Sequence, residues 1–227
     1  LADLHFATTA RAVENLRAEG VPRDRVHLTG NTVVDALHAI LKKPVTFADP
    51  RLAQLTGRVV LVTAHRRESF GRPLEDICRA IADIIESHSD VTVVFPVHRN
   101  PSVRCTVEEL LGRRERVVLT EPLAYPEFVH LMQRASLILS DSGGVQEEAP
   151  SVGTPVLVMR EVTERPEAVE SGWAELVGTN RALIVSRAAA CLLRGKAAQS
   201  TSENPFGDGK ASARIAELLL GQKAACA

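Results

Sequence analysis

Short apolar runs alternate with longer segments of helical period along most of the chain, and that alternation confines it to an α/β architecture with a parallel sheet. The strand candidates are "RVVLVT" (58–63), "VTVVF" (91–95), "RVVL" (116–119), "SLILS" (136–140), "PVLVM" (155–159) and "AELV" (174–177). The segments between them read as helices. "PLEDICRAIADIIESH" (73–88) carries Pro73 in its first turn and sets Leu74, Ile77, Ile81, Ile84 and Ile85 on one face. "PSVRCTVEELLG" (101–112) stops at Gly112, read as its C′ residue, and "YPEFVHLMQRA" (125–135) follows a Pro-containing turn. The six strands thus predict one Rossmann-like unit.

The flanks behave differently. Residues 8–19 form a helix capped by Thr8 or Thr9 and stopped by Gly20, and "RVHLTGN" (25–31) is a strand and sharp turn into the helix "TVVDALHAILKK". After a surface helix near 180–195 come the loop "GKAAQSTSENPFGDG" and a terminal helix "KASARIAELLLG". These flanks are candidates for a second unit. The opening "LADLHFATTA" lacks Met and reads as mid-protein, with Leu4 and Phe6 ending a strand, so sequence is expected upstream.

At 227 residues, 45% hydrophobic and 24% charged, the chain has an ordinary globular composition and enough length for an enzyme core. Its 27 basic and 28 acidic residues leave a net charge of −1 and no electrostatic footprint for nucleic acid or an anionic membrane. Any anion must therefore be held locally. Cys78, Cys105, Cys191 and Cys226 show no C-x-x-C spacing, so reduced thiols in a cytoplasmic protein are expected. No apolar run approaches the ~20 residues of a membrane span, and no signal peptide is visible.

In "SLILSDSGGVQEEAPSVGTPVLV" (136–158) an apolar run stops at Ser140 and two glycines follow. Asp141, Ser142, Gly143 and Gly144 then sit at a helix N-terminus, where unpaired amides favour an anion and glycines let a phosphate approach. A plain Ser142 N-cap with glycines serving a tight turn fits the same residues. A carboxylate one turn on repels phosphate but accepts hydrogen bonds from a ribose diol, a role that suits Glu148. "VTAHRRESFGRP" (62–73) packs His65, Arg66, Arg67 and Glu68 into the loop after the first core strand. In the common 3-2-1-4-5-6 sheet order the first and fourth strands are neighbours, and His65 faces the same crevice as Ser142 to Gly144. "REVTERPEAVESG" (160–172) adds Arg160, Glu164, Arg165 and Glu167, with Arg165 a partner for a phosphate or for a surface carboxylate. His98 in "FPVHRNP" (95–101) is a loop histidine or a ligand, and Phe128 in "TEPLAYPEF" (120–128) stacks on a base or fills the core. Without G-x-G-x-x-G, a P-loop lysine or H-E-x-x-H, NAD and ATP gain no direct support.

Together "GNTVVDAL", "TAHRRESFG", "PVHRNP", "SDSGGVQEEAPSVGTPVLVMREVTERPEAV" and "NPFGDGKAS" resemble the non-hydrolysing UDP-N-acetylglucosamine 2-epimerases, in order from Leu1 to about Leu220. The resemblance implies a GT-B fold, two Rossmann-like domains with the nucleotide sugar between them, of which this chain is the C-terminal part. Residues 1–30 would be a remnant of the N-terminal domain, 31–203 the UDP-binding domain and 204–227 a helix crossing back. It also implies interconversion of UDP-GlcNAc and UDP-ManNAc by elimination and re-addition of UDP through a 2-acetamidoglucal. No cofactor or metal is implied, UDP-GlcNAc or UDP is the ligand, and the setting is a cytoplasmic homodimer in cell-wall polysaccharide biosynthesis.

Carried over position by position, Ser142, Gly143 and Gly144 resemble the diphosphate-binding residues and Glu148 the ribose-binding glutamate. Arg67 and Arg165 resemble substrate-site arginines. Phe128 lies near the uracil, and Leu123, whose side chain varies in the family, contacts it through the main chain. His65 resembles the catalytic histidine beside the leaving diphosphate. Arg66 and His98 match positions that contact a second, allosteric UDP-GlcNAc. The carboxylates that handle the C2 proton lie in the other domain, so this fragment alone is expected to be inactive. Alternatives from the same residues are a GT-B glycosyltransferase, a hydrolysing epimerase and a non-catalytic UDP-binding module. Leu218, Leu219 and Leu220 are expected to be exposed and to favour self-association.

Overall fold

The computed structural model describes residues 2–195 and 203–225, and these group into two compact units, Leu1–Lys43 with Glu203–Ala227, and Pro44–Ser202. The first begins with a β-α-β element. Strand β1 (His5–Ala7) runs parallel to β2 (Val26–Leu28), with His5 opposite Val26 and Ala7 opposite Leu28. Between them lies α1 (Ala10–Ala18), where the Thr9 hydroxyl accepts the Ala12 amide at 3.1 Å, so Thr9 and not Thr8 is the cap. The chain leaves this helix through Gly20 at φ 86°, a left-handed conformation open to glycine. Val13 packs against Ala7 and Val26. Helix α2 (Thr32–Leu41) is capped by Asn31, whose side chain accepts the Val33 amide at 3.0 Å.

The second unit opens with α3 (Pro50–Ala53), β3 (Arg58–Thr63), α4 (Arg72–Ser87), β4 (Val91–Pro96), α5 (Pro101–Leu111), β5 (Val117–Thr120) and α6 (Tyr125–Arg134). It continues through β6 (Leu137–Ser140), α7 (Gly143–Glu148), β7 (Val156–Val158), α8 (Pro166–Glu170), β8 (Ala174–Leu176) and α9 (Arg181–Arg194). All neighbouring strands are parallel, in the order β5-β4-β3-β6-β7-β8. Counted from β3 this is the 3-2-1-4-5-6 order anticipated from the sequence.

Both sheet faces are buried, which is why the strands read as continuous apolar runs. Val60, Val62, Val93, Phe95, Leu137 and Leu139 cluster with apolar residues of α4, α5 and α9, while the alternate residues Val59, Leu61, Val94 and Ile138 are buried as well. On α4 all five predicted core positions, Leu74, Ile77, Ile81, Ile84 and Ile85, are buried. The end of α5 differs from expectation. Gly112 has φ −62°, so it stays right-handed, and a turn follows two residues on, where the Arg114 amide bonds Leu111 O.

Helix α10 (Ala211–Ala225) returns to the first unit. At its start Asp35 of α2 accepts the amides of Ala211 and Ser212 at 3.1 and 2.8 Å. The segment before it packs backbone on backbone: a Cβ on Gly30 would lie 3.3 Å from Gly207 Cα, and the Asn31 amide bonds Phe206 O at 2.7 Å. "GN" and "NPFGDG", two motifs far apart in sequence, are therefore one joint. Leu219 and Leu220 are exposed, as expected, whereas Leu218 is partly covered. Cys226 lies outside the described residues.

Candidate functional site

The winding of the six-stranded sheet reverses between β3 and β6, and the loops leaving their carboxyl ends part to open a cleft. Thr63 closes β3 opposite Ser140 of β6, and their hydroxyls lie 2.7 Å apart. One loop then carries Ala64 and His65, the other Asp141 and Ser142.

Asp141 joins these loops. Its side chain is fully buried, and Oδ2 accepts the backbone amides of His65 and Arg66, each at 2.8 Å. Oδ1 has no straight hydrogen bond but lies 3.1 Å from Nδ1 of His65, whose side chain is 45% exposed. The Asp141 carboxylate raises the His65 pKa against the opposing effect of burial. Burial in turn pushes Asp141 up, but the imidazole and the two amides outweigh it and hold the carboxyl below its ordinary value. The His98 ring lies beside His65, centroid to centroid 6.2 Å, with its Nδ1 accepting the Asn100 amide at 3.2 Å.

Beyond Ser142 the chain enters α7. Neither Gly143 nor Gly144 has a positive φ, so the backbone has no conformational need for glycine here. A turn that needs a left-handed glycine is therefore not what these two residues serve. Ser142 is extended and makes no side-chain capping bond, so the plain N-cap reading fails as well. What the glycines provide is clearance over amides that the first helical turn leaves unpaired. A Cβ would stand 3.9 Å from the Arg66 guanidinium at Gly143, and 3.6 Å from Glu148 Oε1 at Gly144.

At the end of α7, Glu148 is only 8% exposed. The Tyr125 hydroxyl, from the first residue of α6, donates to Oε2 at 2.7 Å. Burial raises the Glu148 pKa, and the Tyr125 hydrogen bond opposes that rise. Burial and the carboxylate together raise Tyr125.

The cleft measures about 290 Å³. It brings together His65, His98, Leu123, Phe128, Ser142, Gly144 and Glu148 of the residues singled out from the sequence, with Tyr125 between the two walls. Gly143 belongs to the same turn. The arginines lie outside the lining. Arg67 is exposed on the short 3₁₀ turn Arg67–Ser69, and Arg165, at the start of α8, is bonded through Nε to Glu147. Arg66 approaches Glu164 at 3.8 Å. Behind them Arg160, 5% exposed, bonds Glu68 at 2.7 Å and Glu164 at 2.7 and 3.0 Å, tying the loop after β7 to the loop after β3. Thr163 donates to Gln146, and Gln146 donates to Ser142 O at 3.1 Å, so the same loop also braces α7.

A family model for UDP-N-acetylglucosamine 2-epimerase matches residues 1–220. The chain belongs to the UDP-N-acetylglucosamine 2-epimerase family. The Escherichia coli K12 UDP-N-acetylglucosamine 2-epimerase is 47% identical, the match covering 98% of this chain and 62% of that relative. The chain spans about three-fifths of the length of the curated epimerases it matches. Among solved structures, the Neisseria meningitidis UDP-GlcNAc 2-epimerase bound to UDP-GlcNAc is similar with TM-score 0.88 at 41% identity, over 97% of this chain and 62% of that one. The Methanocaldococcus jannaschii UDP-GlcNAc 2-epimerase in complex with UDP-GlcNAc and UDP gives 0.82 at 33% identity, over 96% and 61%. A wall teichoic acid polymerase, TagF, at 12% identity and TM-score 0.55 over 97% of this chain and 58% of that one, shares the fold alone. The parallel sheet of this epimerase-family chain is thus of the Rossmann-like kind found in GT-B proteins. Among the described residues no helix is long and apolar enough to cross a membrane.

Sequence reasoning assigned no role to Tyr125 or Asp141 and left Arg160 as one loop charge among several. Tyr125 carried a usable signal, being the chain's single tyrosine, one helical turn ahead of Phe128. Asp141 carried none, because its partners lie 75 and 76 residues away.

Proposed function

We propose that this chain is the UDP-binding part of an epimerase that interconverts UDP-GlcNAc and UDP-ManNAc by eliminating UDP to a 2-acetamidoglucal and adding it back. One observation carries the reading: a cleared glycine turn, a buried carboxylate and a carboxylate-paired histidine converge on one cleft. The glycine amides and the Ser142 hydroxyl suit a diphosphate, and Glu148 suits the ribose diol. Phe128 offers a face for uracil and Leu123 its main chain.

In this reading His65, whose protonated form Asp141 favours, faces the negative charge that grows on departing UDP. Loss of UDP across C1 and C2 also needs a base for the C2 proton. We assign that base to carboxylates of the other domain. Arg165 is engaged by Glu147 here, so for it to reach the diphosphate, the ligand must displace that carboxylate; Arg67 is exposed and free to follow. Arg66 beside the glycine turn and His98 beside His65 are the proposed contacts of a second UDP-GlcNAc.

We further propose a cytoplasmic setting and a homodimer, for the second of which the exposed Leu28, Leu219 and Leu220 of the first unit offer an apolar surface. Residues 1–30 are proposed to belong to the N-terminal domain, 31–203 to the UDP-binding domain and 204–227 to the crossing helix. Calorimetric titration with UDP tests the central claim. Binding abolished by both Ser142→Trp and Glu148→Ala supports it, and a folded chain that ignores UDP refutes it.

A further inference from the structure

We infer that Tyr125 is a positioning residue for ribose recognition, orienting Glu148 so that its second oxygen is presented to a sugar hydroxyl of a nucleoside diphosphate. The inference rests on the nucleotide reading above. Glu148 is buried to 8% exposure, and a carboxylate so placed needs partners for both oxygens. Oε2 takes the Tyr125 hydroxyl at 2.7 Å. Oε1 lies on the cleft side, 3.6 Å from where a Gly144 Cβ would stand, with no partner among the described residues. It is open to the cleft and free to accept from a ligand hydroxyl in place of water.

The chemistry of that donor is constrained. An ionised carboxylate only accepts, so it selects a hydroxyl and turns away phosphate oxygens. The Tyr125 hydroxyl donates to the carboxylate and fixes its plane, because Tyr125 comes from α6 and Glu148 from α7. The same bond ties the Leu123 and Phe128 wall to the glycine wall, coupling the place for a base to the place for a ribose.

The groups that face Glu148 are Tyr125 from α6 and Glu147 on α7, itself engaged by Arg165, while His65 lines the same cleft. Burial favours the protonated form of Glu148 and the Tyr125 bond opposes it. Without that bond, Glu148 takes up a proton at higher pH and recognition of the hydroxyl fades as pH falls.

The test is calorimetric titration of the whole chain, wild type, Tyr125→Phe and Glu148→Gln, with UDP, 2′-deoxy-UDP and 3′-deoxy-UDP from about pH 5.5 to 8. The ratio of UDP to deoxy-UDP affinity cancels the titration of the diphosphate and of His65. Wild type is expected to prefer UDP over at least one deoxy analogue by about tenfold or more, as for a hydrogen bond to a charged group. Tyr125→Phe should lose most of that preference and show its acid fall at higher pH, while binding the deoxy analogue as wild type does, which also reports an intact fold. A Tyr125→Phe protein with the wild-type preference and pH midpoint, beside a Glu148→Gln protein that has lost them, overturns the inference and leaves the ribose reading standing. A wild type that binds UDP and both deoxy analogues equally overturns the ribose role of Glu148 and the inference with it.

Discussion

The buried carboxylate of Asp141 holds His65 twice, through the backbone amide at 2.8 Å and beside the ring nitrogen Nδ1 at 3.1 Å. One side chain thus holds the position of the histidine and favours its charged form. His65 has a raised folded-state pKa, so its contribution to stability is complete below the unfolded value near 6.5 and is lost as pH rises through the raised value. Asp141 has a lowered one, so its contribution is present above an unfolded value near 3.9 and is lost as pH falls through the lowered value. Asp141→Asn should therefore lower the His65 titration midpoint, followed by NMR of the ring Cε1 proton, and cost about 2 kcal/mol. The stability gap to wild type should be widest from about pH 4 to 6.5. An unchanged midpoint would mean that Asp141 acts only on the backbone.

Gly143→Ala separates folding from binding. Because φ at Gly143 is not positive and its Cβ would meet only the Arg66 guanidinium, at 3.9 Å, the substitution should stabilise the chain by about 0.5–1 kcal/mol. The same methyl would stand over the amides proposed for the diphosphate, so UDP affinity should fall at least tenfold. Denaturant unfolding paired with calorimetry checks both signs; undiminished UDP binding would place the ligand elsewhere.

Arg160→Met should loosen the loops after β3 and β7 together. Its partners Glu68 and Glu164 are more than half exposed and can rehydrate, so the stability cost should be modest, about 1 kcal/mol. Arg160 holds Glu164 down to about 2, so in wild type this tie persists as pH falls below the ordinary Glu range and is lost only near that value. Hydrogen exchange of the His65–Ser69 and Val162–Arg165 amides is expected to accelerate in the variant. Exchange unchanged in either loop would show that Arg160 does not couple them.

Asp35→Ala removes the side chain that accepts two amides at the start of α10. The loss should be about 1–2 kcal/mol, the range of an N-cap, and should appear as faster exchange in the first turn of α10 with the Pro44–Ser202 unit unaffected. Uniform destabilisation of both units would contradict this assignment.

Element type and order were legible because apolar period is a local property. The run "RVVLVT" has the length and β-branched content of a buried strand, and the spacing of Leu74, Ile77, Ile81, Ile84 and Ile85 is that of a one-sided helix. The glycine turn and its neighbouring glutamate were legible too, since their chemistry lies within one loop and one helical turn. Even the meeting of His65 with Ser142 followed from assuming one sheet order.

The tertiary structure decided which of two chemically plausible partners each polar group takes. Asp141 meets residues 75 and 76 positions away, Tyr125 meets Glu148 at a separation of 23, and Arg160 meets Glu68 at 92. It turned Arg165 toward Glu147 and removed the conformational excuse for Gly143 and Gly144. A hydrogen bond depends on tenths of an ångström and on direction, and those are fixed only after the sheet has brought distant loops together. Periodicity along one strand or helix carries no record of them.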